Sequence, residues 1–97
     1  VAQVVYSARA IDQAERAFAK LLEVNPAAAT AAAAAIRSAI ENLAPHPLIG
    51  RRIDGDIREL ILSYGATGYI ALYRFAVRQS QVQILGLRHQ REIGYLP

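Results

Sequence analysis

Residues Arg51 to His89 read RRIDGDIRELILSYGATGYIALYRFAVRQSQVQILGLRH, and this stretch decides the fold. Its apolar residues recur with a period near two in three segments, Asp56 to Tyr64, Tyr69 to Val77 and Val82 to His89. Between them lie Gly65-Ala66-Thr67-Gly68 and Arg78-Gln79-Ser80-Gln81. β-Branched and aromatic residues in alternation, punctuated by glycine and short polar runs, specify strands joined by tight connections. The prediction is three strands in a meander. Asp54-Gly55 marks a further tight turn, so Arg51 to Ile53 adds a short extension ahead of the first of them.

Upstream of Arg51 the period changes. Ala44 to Gly50 (APHPLIG) holds two prolines and a glycine and reads as a loop. Before it, Pro26 to about Leu43 carries Ile36, Ile40 and Leu43 at i, i+4 and i+7 behind a face of alanine, the residue with the best helix propensity and a side chain small enough for close backbone approach. From Ser7 to Asn25, Ile11, Ala14, Phe18, Leu21 and Leu22 form one apolar stripe, with Arg9, Asp12, Glu15, Arg16 and Lys20 mainly elsewhere. Ser7 is the natural N-cap of this helix. Asn25-Pro26 closes it and opens the next, because the residue before proline avoids the helical region while proline suits the first helical position. So short a link makes an antiparallel helical hairpin. Val1 to Tyr6 (VAQVVY) reads as a first strand. The predicted order is β-α-α-β-β-β: an α+β domain over residues 1–97, with the hairpin on one face of a mainly antiparallel sheet of about four strands. The other sheet face is left for a partner or substrate.

The chain has 97 residues, 54% of them hydrophobic, enough for one small folded domain. Nineteen alanines inflate that fraction, so the core rests on Ile, Leu, Val, Tyr and Phe and is thin. With no cysteine, disulfides, thiolate metal sites and thiol catalysis are excluded, and a cytoplasmic location is expected. No apolar run approaches the roughly 18 residues of a membrane span, and no charged segment precedes an apolar one as in a secretion signal, so no membrane association is expected. Lys+Arg number 11 against 8 Asp+Glu, and of the basic residues only Lys20 is lysine. Arginine favours planar, bidentate contact with carboxylate or phosphate, although a GC-rich genome produces the same bias.

Arg51, Arg52, Arg58, Arg74, Arg78, Arg88, His89 and Arg91 all follow the hairpin, as do four of the five tyrosines. Arginines interleaved with tyrosines suit nucleic acid, by phosphate contact and base stacking. They equally suit a sheet whose edges are guarded by charge and paired with Asp54, Asp56, Glu59 and Glu92. His89 stands beside Arg88 and Arg91, where neighbouring cations favour the neutral ring and so a base; the alternative is a framework histidine bonded to a nearby loop. His46, between two prolines, reads as a loop residue. Two histidines without paired carboxylates, and no glycine-rich phosphate loop, give no expectation of a metal or a cofactor.

Arg58 to Phe75 (RELILSYGATGYIALYRF) and Val82 to Tyr95 (VQILGLRHQREIGY) resemble the RelE/ParE superfamily of bacterial type II toxin–antitoxin toxins. The resemblance extends over nearly the whole chain: VVYS at Val4 to Ser7, the helical hairpin, Pro47 to Gly50, Arg58-Glu59-Leu60, Tyr73-Arg74, and LRHQRE at Leu87 to Glu92. It implies a toxin with one of two activities, since one fold serves both. ParE-like members, which this chain resembles more closely, poison DNA gyrase and help to stabilise plasmids; RelE-like members cleave mRNA in the ribosomal A site. RelE-like ribonucleases carry an arginine just after the Gly-Tyr that opens the third strand, where this chain has Ile70 after Gly68-Tyr69, a side chain unable to stabilise phosphate charge.

Under the ParE-like reading Arg58, Arg74, Arg88, His89 and Arg91 are target contacts or framework residues. Under the ribonuclease reading His89 is the acid–base group, Arg58, Arg74 or Arg91 stabilises phosphate, and Tyr95 stacks on a base. A decayed member that only binds its antitoxin is a further alternative. The resemblance also implies a cognate antitoxin whose disordered tail folds onto the toxin, by a helix on the hairpin or a strand at the sheet edge. Phe18, Leu21 and Leu22 are the expected docking residues. Without its partner the chain is expected to self-associate through that apolar surface.

Overall fold

The computed structural model describes residues 1–64 and 67–89. Ser7 ends the first strand, β1 (Gln3–Tyr6), and starts the first helix, α1 (Ala8–Val24), where its Oγ accepts the Ala10 N–H at 3.0 Å. Asn25 serves both helices: its N–H donates to the Leu21 carbonyl at 2.8 Å, and its Oδ1 accepts from Ala28 at 3.2 Å to cap α2 (Pro26–Glu41). Both caps are those expected from the sequence. The second helix stops at Glu41, ahead of Leu43, because Leu43 and Ala44 donate to the carbonyls three residues back and tighten the chain before Pro45.

Among the described residues the sheet has five strands in the order β1-β5-β4-β3-β2, adding β2 (Arg51–Asp54), β3 (Ile57–Tyr64), β4 (Thr67–Ala76) and β5 (Gln81–His89). The α+β class stands and the strand count rises from about four to five. The extra strand is the expected extension, which pairs as a hairpin with β3 through Gly55 at φ 56°, with a slip in register that leaves out Ile53. All four of its residues are exposed, so no buried alternation marks it out in the sequence. β1 begins at Gln3 because Ala2 turns its N–H to the Ala44 carbonyl at 2.9 Å. β1 lies parallel to β5, with the helical hairpin between them in the chain; every other pairing is antiparallel.

The hairpin covers one sheet face, and the core lies between them: Tyr73, Leu43, Ile84 and Val82 are fully buried, packed with Ile40, Leu62 and Ala71. Besides Ile40, the residues the helices bury almost completely are alanines, Ala10, Ala29 and Ala32, in keeping with close approach by small side chains. Between β4 and β5 the register slips by one residue. Tyr73 pairs with Ile84 and Leu72 with Gly86, leaving Leu85 as the extra residue of a β-bulge. No helix among the described residues is long and apolar enough to cross a membrane.

Candidate functional site

The pairing registers sort the arginines by face, since neighbouring strand residues point to opposite sides. On β4, Tyr69, Ala71 and Tyr73 belong to the core, so Ile70, Leu72 and Arg74 face away from the helices. Opposite them stand Ile61, Glu59 and Ile57 of β3, and Arg88 and Gln83 of β5 pair with Ile70 and Arg74. On this open face Arg74 Nε donates to Gln83 Oε1 at 2.8 Å, Gln83 Nε2 donates to Gln81 Oε1 at 2.9 Å, and Arg51 forms an ion pair with the buried Glu59. Three guanidinium groups, Arg51, Arg74 and Arg88, thus share a face with branched aliphatic side chains; Arg51, Arg74 and Ile61 are exposed there, Arg88 is half-buried and Ile70 is buried.

Arg58 and His89 lie on the other side. Arg58 is opposite Tyr73, and its Nη1 donates to the carbonyls of Leu48 at 3.2 Å and Gly50 at 2.8 Å, fastening the Pro47–Gly50 loop to the sheet. The Tyr73 hydroxyl accepts the Gly50 N–H at 2.8 Å, and a Cβ on Gly50 would sit 2.5 Å from that oxygen. Burial holds the Tyr73 hydroxyl above its ordinary pKa, partly offset by the Gly50 N–H and the Arg58 charge. His89 meets Tyr69 edge to face, ring centroids 5.2 Å apart and planes at 84°. The expected site residues are therefore divided: Arg74 and Arg88 on the open face, Arg58 and His89 towards the helices. Arg91 and Tyr95 lie outside the described residues.

A second feature lies between the helices. A cleft of about 380 Å3 runs along the hairpin and down to β1 and β5, lined by Tyr6, Ile11, Ala14, Phe18, Leu21, Ile36, Ile84 and Leu87, with Glu15, Arg37 and Glu41 as the charged side chains in its wall. Alanines on both walls, Ala14 and Ala33 among them, leave the gap that larger residues would fill. Phe18 and Leu21 are part of the lining; Leu22, 40% exposed, is outside it. Tyr6, Arg37 and Glu41 were not among the residues expected from sequence, because only the docking of β1 beside α2 brings them together. The Tyr6 hydroxyl is raised above its ordinary pKa, first by burial and then by Glu41, against a lowering by Arg37.

The family described as the ParE toxin of type II toxin-antitoxin system, parDE, matches residues 4–94. The chain belongs to this family. It is 43% identical over 72 residues to Toxin RelE3 of Caulobacter vibrioides, an alignment covering 74% of this chain and 76% of that protein. It is thus a RelE/ParE-superfamily toxin of a type II toxin–antitoxin module, and ParE-family membership implies a cognate antitoxin as partner.

Proposed function

We propose that this ParE-family toxin acts by binding a target, with DNA gyrase as that target, and makes and breaks no covalent bond itself. The observation that carries this reading is the separation of its candidate catalytic groups. His89 packs on Tyr69 on the helix side of the sheet, whereas Arg74 pairs with Gln83 on the opposite face. General acid–base catalysis of phosphodiester cleavage needs the proton-transfer group and the phosphate-stabilising cations around one reacting phosphate, within hydrogen-bond reach of it. Ile70, which faces away from the helices but is itself only 7% exposed, supplies no charge to such a site. A surface of guanidinium groups set among Ile57, Ile61 and Leu72 instead has the mixed character of a protein-binding face, where arginine and apolar groups combine. The antitoxin, in this reading, lays the apolar side of a helix into the cleft walled by Phe18, Leu21 and Ile36.

A second reading, a ribosome-dependent mRNA endoribonuclease, draws on the RelE3 name of the 43% identical relative and keeps His89, Arg74, Arg91 and Tyr95 as its working residues. Induction of the chain in a bacterial host without antitoxin separates the two. Early arrest of labelled-thymidine incorporation, with trapped gyrase–DNA cleavage complexes, is the expected result. Early arrest of labelled-methionine incorporation, with new cuts inside translated codons, overturns it. In that case His89→Ala should lower cleavage by about two to four decades, the usual loss on removing a general acid–base group.

A further inference from the structure

β1 covers β5 only as far as Tyr6 opposite Ile84, and on that edge Leu85 to His89 run on with no strand beside them among the described residues. The bulge falls at the same place, with Leu85 as its extra residue. A bulge at an edge leaves backbone groups that need partners. The start of α1 supplies them: Ser7 Oγ donates to the Leu85 carbonyl at 3.1 Å, and Gln13 Oε1 accepts the Leu87 N–H at 2.7 Å. A Cβ on Gly86 would sit 3.1 Å from that same Gln13 oxygen, so glycine leaves the acceptor its room.

The bulge decides which face the end of β5 presents. Val82 and Ile84 point into the core before it; after it Leu87 does, the half-buried His89 shares that face opposite Tyr69, and Arg88 faces out opposite Ile70. Without the extra residue, strict alternation would carry Arg88 inward and turn Leu87 and His89 outward, because a slip of one residue moves every side chain to the other face. We propose that Gln13 is a positioning residue: its side-chain carbonyl, helped by Ser7 and by the missing side chain of Gly86, locks the β5 bulge and so presents Arg88 on the open face and seats His89 against Tyr69. The lock serves any target that the open face binds and does not depend on whether that target is gyrase or mRNA.

Amide exchange and nuclear Overhauser contacts on the labelled chain test it. In Gln13→Leu, which keeps the bulk and removes the acceptor, the Leu87 amide should exchange at least about fivefold faster, the minimum expected from leaving a part-buried N–H without its acceptor. The Ile70–Arg88 and Tyr69–His89 contacts should weaken together, while the Ile84 amide stays unchanged as the internal control. Gln13→Glu, which restores an acceptor, should recover both. Unchanged Leu87 exchange and unchanged side-chain contacts in Gln13→Leu would overturn the proposal. Should that variant not fold, Gly86→Ala crowds the same oxygen from the strand side; a folded Gly86→Ala chain with native Leu87 exchange and contacts overturns it equally.

Discussion

Tyr73 and Gly50 meet where no spare atom fits. With a Cβ at position 50 placed 2.5 Å from the Tyr73 hydroxyl and 2.7 Å from the Glu59 carbonyl, Gly50→Ala must push the loop off the sheet. We expect a loss of about 1–3 kcal/mol, the usual cost of overpacking, measured by urea unfolding. Arg58→Ala removes both bonds to the loop carbonyls and should cost about 1.5–3 kcal/mol, typical of a hydrogen bond from a charged donor. A variant as stable as the parent would show that the loop holds itself. Arg58 is thus a framework residue first, and loss of toxicity in Arg58→Ala is to be read only beside its stability. Tyr73 and Tyr6 both have hydroxyl pKa values raised above 10.0 by burial. The folded chain therefore holds these protons more tightly than the unfolded chain. Their stabilisation is complete below pH 10 and is lost as the pH climbs through the folded-state values. Urea midpoints between pH 8 and 11 should fall above pH 10, and Tyr73→Phe should flatten that fall.

At the scale of elements, Asn25 holds the hairpin by ending one helix and capping the next. Asn25→Ala should cost about 1 kcal/mol, with Asn25→Ser close to the parent, as thermal unfolding would show. Equal stability of the alanine variant would mean that Pro26 alone sets the helix start. This junction was legible in the sequence because Asn-Pro constrains the backbone locally. So were β3, β4 and β5, whose buried faces impose a period of two. β2 was legible only as an extension, since its four exposed residues leave no pattern and its existence rests on a turn at Gly55. The bulge at Leu85 was not read from the sequence, although its traces are there in Gly86 and in the change of phase from Val82 and Ile84 to Leu87; the groups that stabilise it come from the far end of the chain, at Ser7 and Gln13.

For the whole molecule, the consequence of an alanine-rich hairpin is the cleft. Ala33→Leu, set in its wall, should leave the isolated chain at least as stable as the parent while weakening antitoxin binding by at least about tenfold, or ~1.4 kcal/mol. Calorimetric titration with the cognate antitoxin measures the second, and undiminished affinity would move the docking site elsewhere. Without a partner, Ile11, Leu22 and Tyr6 are each at least 40% exposed around this region. Sedimentation of the free chain should therefore show self-association rising with concentration and suppressed by antitoxin; a monomer at every concentration would contradict this.

Local rules in the sequence determined the helical hairpin, its two caps, the three long strands and the α+β class, because capping, proline geometry and hydrophobic period act over a few neighbouring residues. The resemblance of Arg58 to Phe75 and Leu87 to Glu92 to RelE/ParE toxins was likewise in the residues, and the family match bears it out. Which face each arginine takes was decided only in the tertiary structure. Arg58 and Arg74 are both strand residues with a large apolar neighbour in sequence, yet one is spent on the Pro47–Gly50 loop and the other stands on the open face. His89 and Arg88 are sorted by a bulge whose hydrogen-bond partners lie more than seventy residues away along the chain. Facing depends on register, and register is fixed by contacts between elements distant in sequence.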